Sequence, residues 1–554
     1  MRLRYALVVS LVLAASAAGQ TPGDCDTGRA SGTLDASDVE ATVLTTGTIA
    51  YGPGAEHAYY VPKGSRLSPL YAASVWVGGR VGGEFRVAAA TYGQGGRDND
   101  HFEFWPGPLD AGAVLPDPDD CSAYDRVWVV SVEDVDAFDV GGVVTTRDLA
   151  EWPVGLGAPA VDAEGAPVVP ESRGQRIDLG AGERPVLSGS QTAFWVMNDV
   201  GNEHRTSGSA PLGIEVAVTA FVVARADSPT FHRAVFARYA ITNRNDVPIE
   251  DAYATFWADP DLGNAGDDYV GIDTTRSLAF VYNADEVDDG FYGAGPPAWG
   301  ADVLGGLADD DRQREATAFT YSPGGDANRG DPGGDPIEFH NIMRGIWRDG
   351  TPITALGSGY NQGGDVTTFA FPGDPALGQF WSEEQTGRGR AEPGERRFVV
   401  TTGPGTIGPG ETRTVDYAFL FMRERFRLLS VEALQAASDT VQAVYDAGNL
   451  FETVRPVRPP PPTVPILAAD LVVRGQTPGR GLPALAVRLL EASAARVRVI
   501  DALGRVVYDD NRRRWPAGET AVDLGGLDLA AGAYTALLEV RGGAPVARRL
   551  VVVR

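Results

Sequence analysis

The chain is poor in the residues on which much enzyme chemistry is built. Its 554 residues include only five histidines, His57, His101, His204, His232 and His340. None lies in an HExxH pattern, which excludes the helix-borne zinc site formed by histidines at i and i+4. No GxSxG segment occurs, so the strained turn that exposes a hydrolase serine is also missing. Glycine clusters such as Gly78-Gly79 lack the strand–helix setting and the lysine of a phosphate loop. Lysine itself occurs once, at Lys63, so 46 of the 47 basic residues are arginine. Aspartate and glutamate total 74, which leaves a formal charge of −27. A surface of that sign repels phosphates and argues against a nucleic-acid partner. The acidity fits cation binding, solubility in a salty medium, or a plainly solvated surface.

Cysteine is scarce as well. Cys25 and Cys121 have no third partner and no histidine close by, so in an oxidising compartment they read as one disulfide. Closing a loop of that length stabilises a fold by roughly 4–5 kcal/mol in the chain-entropy picture. Past the N-terminus no apolar run is long enough to cross a bilayer. The N-terminus has Arg2 and Arg4, an apolar run over 6–15, and small residues through Ala18. That order is the one of a secretory signal peptide, here 1–19, with cleavage after Ala17 or Gly19. The expected location is therefore secreted, at the cell surface or in the medium.

Glycine (69) and proline (38) are plentiful while periodic helical stretches are few, which points to short strands joined by turns. A chain of this length exceeds one core. The expected fold class is mainly β: a multi-domain β-sandwich body with one late helix, followed by a C-terminal immunoglobulin-like β-sandwich. Residues 20–45 are small and polar and read as a flexible lead-in. The body spans 46–451, with a division into two sub-domains near 150–190 left open. Within it, runs at 70–77 and 84–92 flank Gly82-Gly83 and form a hairpin. Over 233–243, Val235, Ala237, Tyr239 and Ile241 share one face and Phe236, Arg238 and Thr242 the other. The helix is placed at 430–447, capped by Ser430 and stopped by Gly448. Residues 452–465, ETVRPVRPPPPTVP, form an extended spacer, and 466–554 alternate as a small sandwich.

The candidate site is the stretch 252–271, AYATFWADPDLGNAGDDYVG. A strand leads into a loop holding Asp259, Asp261, Asn264, Asp267 and Asp268, with Gly263 and Gly266 supplying turns. Calcium takes about 6–8 oxygen ligands from such loops. The expectation is a calcium (Ca2+) site made by these five residues, with Asp273 or a backbone carbonyl completing the shell. The spacing is not that of an EF-hand, since no glutamate closes twelve positions. The alternative is a solvated loop of Asx-turns. Asp285, Asp288 and Asp289, or Asp326, Asp331 and Asp335, are further candidates. Among the tryptophans, Trp299 and Trp381 sit beside Pro, Gly or acidic residues and are candidates for a sugar-stacking platform.

The last ninety residues resemble the type A sorting domain of the type IX secretion system. The resemblance rests on VRVIDALGRVV at 497–507, Leu527 and Leu529, AGAY at 531–534 and RLVV at 549–552. It marks Asp501, Gly504, Arg505, Gly532 and Tyr534 as the motif, and implies export by type IX machinery. The usual Asn-Pro opening is replaced by Thr477-Pro478-Gly479. The body, over about 45–451, resembles large secreted proteins that carry such domains and have no assigned activity. Two readings follow for it. The first is a calcium-stabilised binding or structural module, with a glycan or surface polymer as partner and no catalytic or cofactor residues. The alternative is a secreted hydrolase acting on polysaccharide or peptide.

Overall fold

The computed structural model describes residues 25, 28–52, 56–92, 103–117, 121–309 and 315–451. Of the C-terminal part it describes 469–474, 484–489, 492–502, 505–511, 513–524, 527, 529–530, 532–540 and 546–552. The signal peptide, the spacer 452–465 and Gly504 lie outside the described residues. The chain divides into two compact units, Met1–Pro456 and Val457–Arg554. Their boundary falls within the expected spacer.

The first unit is a sandwich of two antiparallel sheets. One sheet runs in the order Asp268–Asp273, Leu278–Asn283, Ala298–Gly305, Thr412–Met422, Val235–Asn243, Ile214–Val222, Gln191–Asn198 and Trp105–Pro106, with Trp128–Ser131 also paired to Gln191–Asn198. The other runs Ala318–Pro323, Arg396–Ile407, Ile249–Asp259, Ala72–Val81 and Glu84–Ala89. Strand alternation sets which residues meet between them. Val235, Ala237, Tyr239 and Ile241 all enter the shared core, as the sequence pattern predicts. Directly beside them stand Phe419, Tyr417, Val415 and Arg413 in register. From the facing sheet comes Phe256, whose ring centre lies 4.7 Å from that of Phe419. Trp299 stacks on the same Phe419 at 6.2 Å. Buried aromatics of this kind contribute roughly 1.5–3 kcal/mol each through area alone.

Both outer faces are covered. The helix Arg427–Asp446 lays Val431, Leu434, Ala437 and Val441 over Leu420, Tyr282 and Ala298. It begins three residues before the predicted start, so Ser430 is not its cap. The Ser430 hydroxyl instead accepts the Glu424 N–H at 2.9 Å and donates to Pro296 O at 2.8 Å. Gly448, at φ +75°, ends the helix as expected. The other sheet is covered by a short helix, Pro336–Met343, whose Phe339 meets Trp76 at 5.2 Å. Trp76 in turn stacks on Trp257.

Two expectations change. The lead-in 20–45 is not flexible over its described part. Ser31–Leu34 and Glu40–Leu44 pair as strands, and Leu34, Val39, Ala41 and Val43 are buried in the main core. Residues 150–190 do not divide the body, because strands on both sides of them belong to one sheet. They carry Trp152, Val154 and Ile177 onto Phe194 and Val196. The hairpin is as predicted, with Val81 opposite Glu84 and Gly82 and Gly83 at φ +60° and +87°. Gly79, however, sits within the strand, where a Cβ would come 2.5 Å from Ile249 Cγ2. The disulfide Cys25–Cys121 is formed and is buried beside Trp105.

The second unit is a smaller two-sheet sandwich. One sheet holds Ala469–Arg474, Ala484–Leu489 and Gly518–Val522. The other holds Val506–Asp509, Ser493–Asp501, Gly532–Val540 and Val546–Val552, with Arg513–Trp515 paired to Ser493–Asp501. Leu485, Val487, Val497, Val499, Trp515 and Leu538 fill the space between them.

Candidate cation loop and polar centres of the body

The acidic loop crosses the sandwich. Ile249–Asp259 belongs to the five-stranded sheet and Asp268–Asp273 is an edge strand of the nine-stranded sheet, so residues 260–267 carry the chain between layers. Gly263 stands at φ +77°, and a Cβ there would meet Asp288 Oδ2 at 2.1 Å. Its N–H donates to Ser68 O at 3.0 Å. Asn264 makes an Asx-turn by accepting the Gly266 N–H at 3.1 Å, while its amide donates to Asp267 Oδ2 at 3.1 Å.

The predicted ligands separate into groups. Asp259 is buried, accepts the Tyr92 hydroxyl at 2.7 Å and lies 3.4 Å from Arg397 Nε. Asp273 ends the strand that Asp268 begins, about 17 Å away at roughly 3.3 Å per residue. There it pairs with Arg276 at 2.6 Å, so it completes no shell around the loop. Asp268 is fully buried, its Oδ2 accepting the Leu262 N–H at 3.1 Å. Its Oδ1 is buried with no hydrogen bond. Asp288 turns into the loop as well: its carboxylate accepts N–H groups of Asn264 at 3.1 Å and Tyr292 at 2.7 Å. The stretch 252–271 does not reveal this residue. The signal lies in the pairing of Asp268 with Asn283, which brings the chain just past Asn283 back beside the loop.

No ion pair neutralises Asp261, Asp267, Asp268 or Asp288 among the described residues. Burial is the main cause that raises their carboxyls, and neighbouring acids add to it. Asp268 is pushed well above the usual range, Asp261 to about 7 and Asp259 to about 6. Asp302, sealed beside Ser438, is likewise raised by burial to about 7. Among the described residues no group of three or more His, Cys, Asp or Glu is arranged to hold a metal ion. The other acidic candidates are occupied singly. Asp326 pairs with Arg329 at 2.6 Å, Asp331 pairs with Arg397 at 2.8 Å, and Asp335 caps the helix Pro336–Met343. The stacking platform is also absent from its predicted residues, since Trp299 and Trp381 are 0% and 1% exposed. Trp381 Nε1 donates inward to Gly357 O at 2.8 Å.

Among the described residues, His204 is flanked by carboxylates and enclosed in the fold. His204 Nδ1 lies 2.9 Å from Val87 O and Nε2 lies 2.6 Å from Asp199 O. The carboxylates of Glu103 and Asp199 stand 3.8 and 3.9 Å away, all three side chains being fully buried. Burial pushes both acids up, and the neighbouring His204 opposes it. Glu103 also accepts the N–H groups of Ala89 and Ser207, and Asp199 those of Leu212, Gly213 and Ile214. This centre ties the Glu84–Ala89 edge to the end of Gln191–Asn198.

A cleft of about 550 Å³ lies beside the Ala318–Pro323 strand, lined by Tyr321, Arg329, Glu383, Arg388, Glu392 and Arg396 among others. Glu383 is fully buried, grips Arg396 at 2.9 and 3.0 Å, and accepts the Val270 N–H at 2.6 Å. Arg388 is exposed and donates to Gln362 O at 3.1 Å. No helix among the described residues is long and apolar enough to cross a membrane.

No family profile and no curated protein matches the sequence. Among solved structures, a polysaccharide lyase aligns with TM-score 0.18 and 11% identity over 65% of this chain and 39% of its own. A β-glucuronidase from Ruminococcus gnavus aligns with TM-score 0.11 and 10% identity over 52% and 44%. The chain spans about two fifths of the length of these structures, and likeness at this level carries no argument.

The raised carboxyls set a pH dependence. Folded Asp259, Asp261 and Asp302 hold protons more tightly than the unfolded chain, whose aspartates titrate near 3.9. Their stabilisation is complete below about pH 4 and is lost as pH rises to 6–7. In calcium-free buffer the thermal midpoint should therefore fall between pH 4.5 and 7.5. Asp268→Asn, which removes a buried charge, should raise the midpoint at pH 8 and flatten that slope. A midpoint that climbs steadily over this interval would sink the assignment.

Proposed function

We propose that the body is an extracellular binding module, directed to a glycan or surface polymer, and that the C-terminal unit is its export address. The observation that carries the binding reading is the state of the carboxylates in the larger cleft. A glycosidase needs two carboxyl groups open to the substrate, about 5–10 Å apart. Here Glu383 is engaged by Arg396 and Glu395 by Arg397, while Arg388 and Glu392 stay exposed at the opening. That pattern supports gripping a polar ligand. A glycan array run beside a hydrolase panel tests it on the whole protein. Binding without turnover is expected, with Arg388→Ala weakening it about tenfold, as loss of a charge-assisted hydrogen bond does. Turnover of a polysaccharide or peptide would establish the hydrolase instead.

The export reading is supported by how the motif residues converge. Asp501 pairs with Tyr534 across two strands and binds Arg505 through both carboxylate oxygens, at 2.9 Å to its N–H and 2.7 Å to Nε. Tyr534 is buried and its hydroxyl donates to Ala530 O at 2.8 Å. Gly532 opens the same strand. Deleting residues 466–554 in the native host should strand the protein inside the cell envelope. A truncated chain found at the surface or in the medium would refute the address.

Calcium at the 260–267 loop completes the proposal. Its support is the buried, unbonded Asp268 Oδ1 beside the unneutralised Asp261, Asp267 and Asp288. A bound cation would add its binding free energy to folding. Millimolar calcium should raise the thermal midpoint by about 2–4 °C over a chelator control, and Asp261→Ala should abolish the difference. An unchanged wild-type midpoint would leave the loop as a turn without an ion.

A further inference from the structure

A second cleft, of about 370 Å³, opens beside Trp128, Arg126, Arg147, Glu151, Gln175 and Arg176. Three guanidinium groups converge there on one carboxylate. Glu151 Oε1 accepts from Arg176 at 2.8 Å, and Oε2 accepts from Arg147 at 2.8 Å and from Arg126. Arg126 also holds Asp148 at 2.6 Å, which leaves the other two arginines sharing a single acid. The remaining acid of the wall, Asp125, is saturated by the N–H groups of Arg29 and Ala30 and by the Thr45 hydroxyl, at 3.1, 3.0 and 2.6 Å.

The acceptors of this wall are occupied, and its donors are in surplus. The Arg147 and Arg176 side chains are 76% and 60% exposed. Each guanidinium has five N–H donors and directs one of them at Glu151. Gln175 turns its carbonyl to the Glu171 N–H at 2.7 Å, leaving its amide N–H groups as further donors. Because Arg147 and Arg176 are anchored on opposite oxygens of one carboxylate, a single small oxyanion can reach both. Arg126 holds the Glu151 carboxyl below the usual range, so this anchor stays charged. Arg173, the fourth arginine of the lining, is paired with Asp110 at 2.8 Å, so the cleft offers a negative ligand free N–H donors and not a net positive charge.

We infer that Arg147 and Arg176 clamp an oxyanion group, a carboxylate or a sulfate ester, of an acidic polysaccharide. Forked guanidinium donors match both groups bidentately. The polysaccharide as source of the anion rests on the extracellular-binding reading, but the cleft is separate from the one at Arg388.

The test is calorimetric titration of the full-length protein with three probes. Oligogalacturonate carries carboxylates only, a κ-carrageenan tetrasaccharide carries sulfates only, and maltotetraose is neutral. Binding of either acidic probe, with none of maltotetraose, is expected, and the probe that binds identifies the group. Arg147→Ala and Arg176→Ala should each weaken it tenfold or more, and Arg147→Lys less. Both arginines are exposed, so circular dichroism and the thermal midpoint of the variants should match the wild type. Equal binding of the neutral probe, or an unchanged affinity in the Arg147→Ala/Arg176→Ala double variant, would overturn the inference. Loss of acidic binding only in Arg388→Ala would also overturn it, while leaving the proposed function intact. No binding of either acidic probe would overturn it even if the array finds a neutral glycan.

Discussion

An acidic chain that folds into a two-layer sandwich cannot keep every carboxylate in water, and each one it buries needs a positive partner. An ionised carboxylate taken from water without a partner is penalised by several kcal/mol. The protein meets this constraint chiefly with arginine. Asp416 is held bidentately by Arg238, its direct neighbour across two strands, at 2.7 and 2.8 Å, and Tyr445 of the covering helix adds a bond at 2.7 Å. Glu383 is held by Arg396, and Asp259 lies against Arg397. The near-absence of lysine gains a structural meaning here, because a planar fork satisfies both carboxylate oxygens at once and an ammonium does not. His204 stands between the carboxylates of Glu103 and Asp199, 3.8 and 3.9 Å away.

These ties stand at the joints of the fold. The His204 centre binds an edge strand of one sheet to the end of a strand of the other. The Glu383–Arg396 pair reaches the backbone of Val270 at the far edge. What remains open lies in the clefts, where arginines outnumber the acids free to answer them, and in the crossing loop, where no described residue forms an ion pair with Asp268 or Asp288. In the proposed reading a calcium ion completes that loop; in calcium-free buffer protons take its place.

Much of the architecture is legible because its signals are local. Alternation over 233–243, the paired glycines at 82–83 and the proline-rich boundary each depend on a few neighbouring residues. The disulfide needed only a count. Where the reading failed, the deciding interaction was distant in sequence. Residues 31–44 look like a polar tail, yet Leu34, Ala41 and Val43 alternate into a core supplied by strands hundreds of residues away. Trp299 and Trp381 have polar neighbours in the chain and apolar ones in space. The acidic loop was visible as a cluster, but strand direction sends Asp273 away from it and strand pairing brings Asp288 to it. Charge compensation is likewise a tertiary property, since Arg397 and Asp259 are far apart in the chain.

The folded protein buries carboxyls whose desolvation outweighs any nearby positive charge, and it therefore retains protons that the unfolded chain releases. Potentiometric difference titration of native against denatured protein, in the presence of chelator, measures this directly. Between pH 4.5 and 7 the native protein should hold an excess of protons, contributed by Asp259, Asp261, Asp268 and Asp302. A native protein that carries fewer protons than the denatured chain throughout that interval would contradict the account.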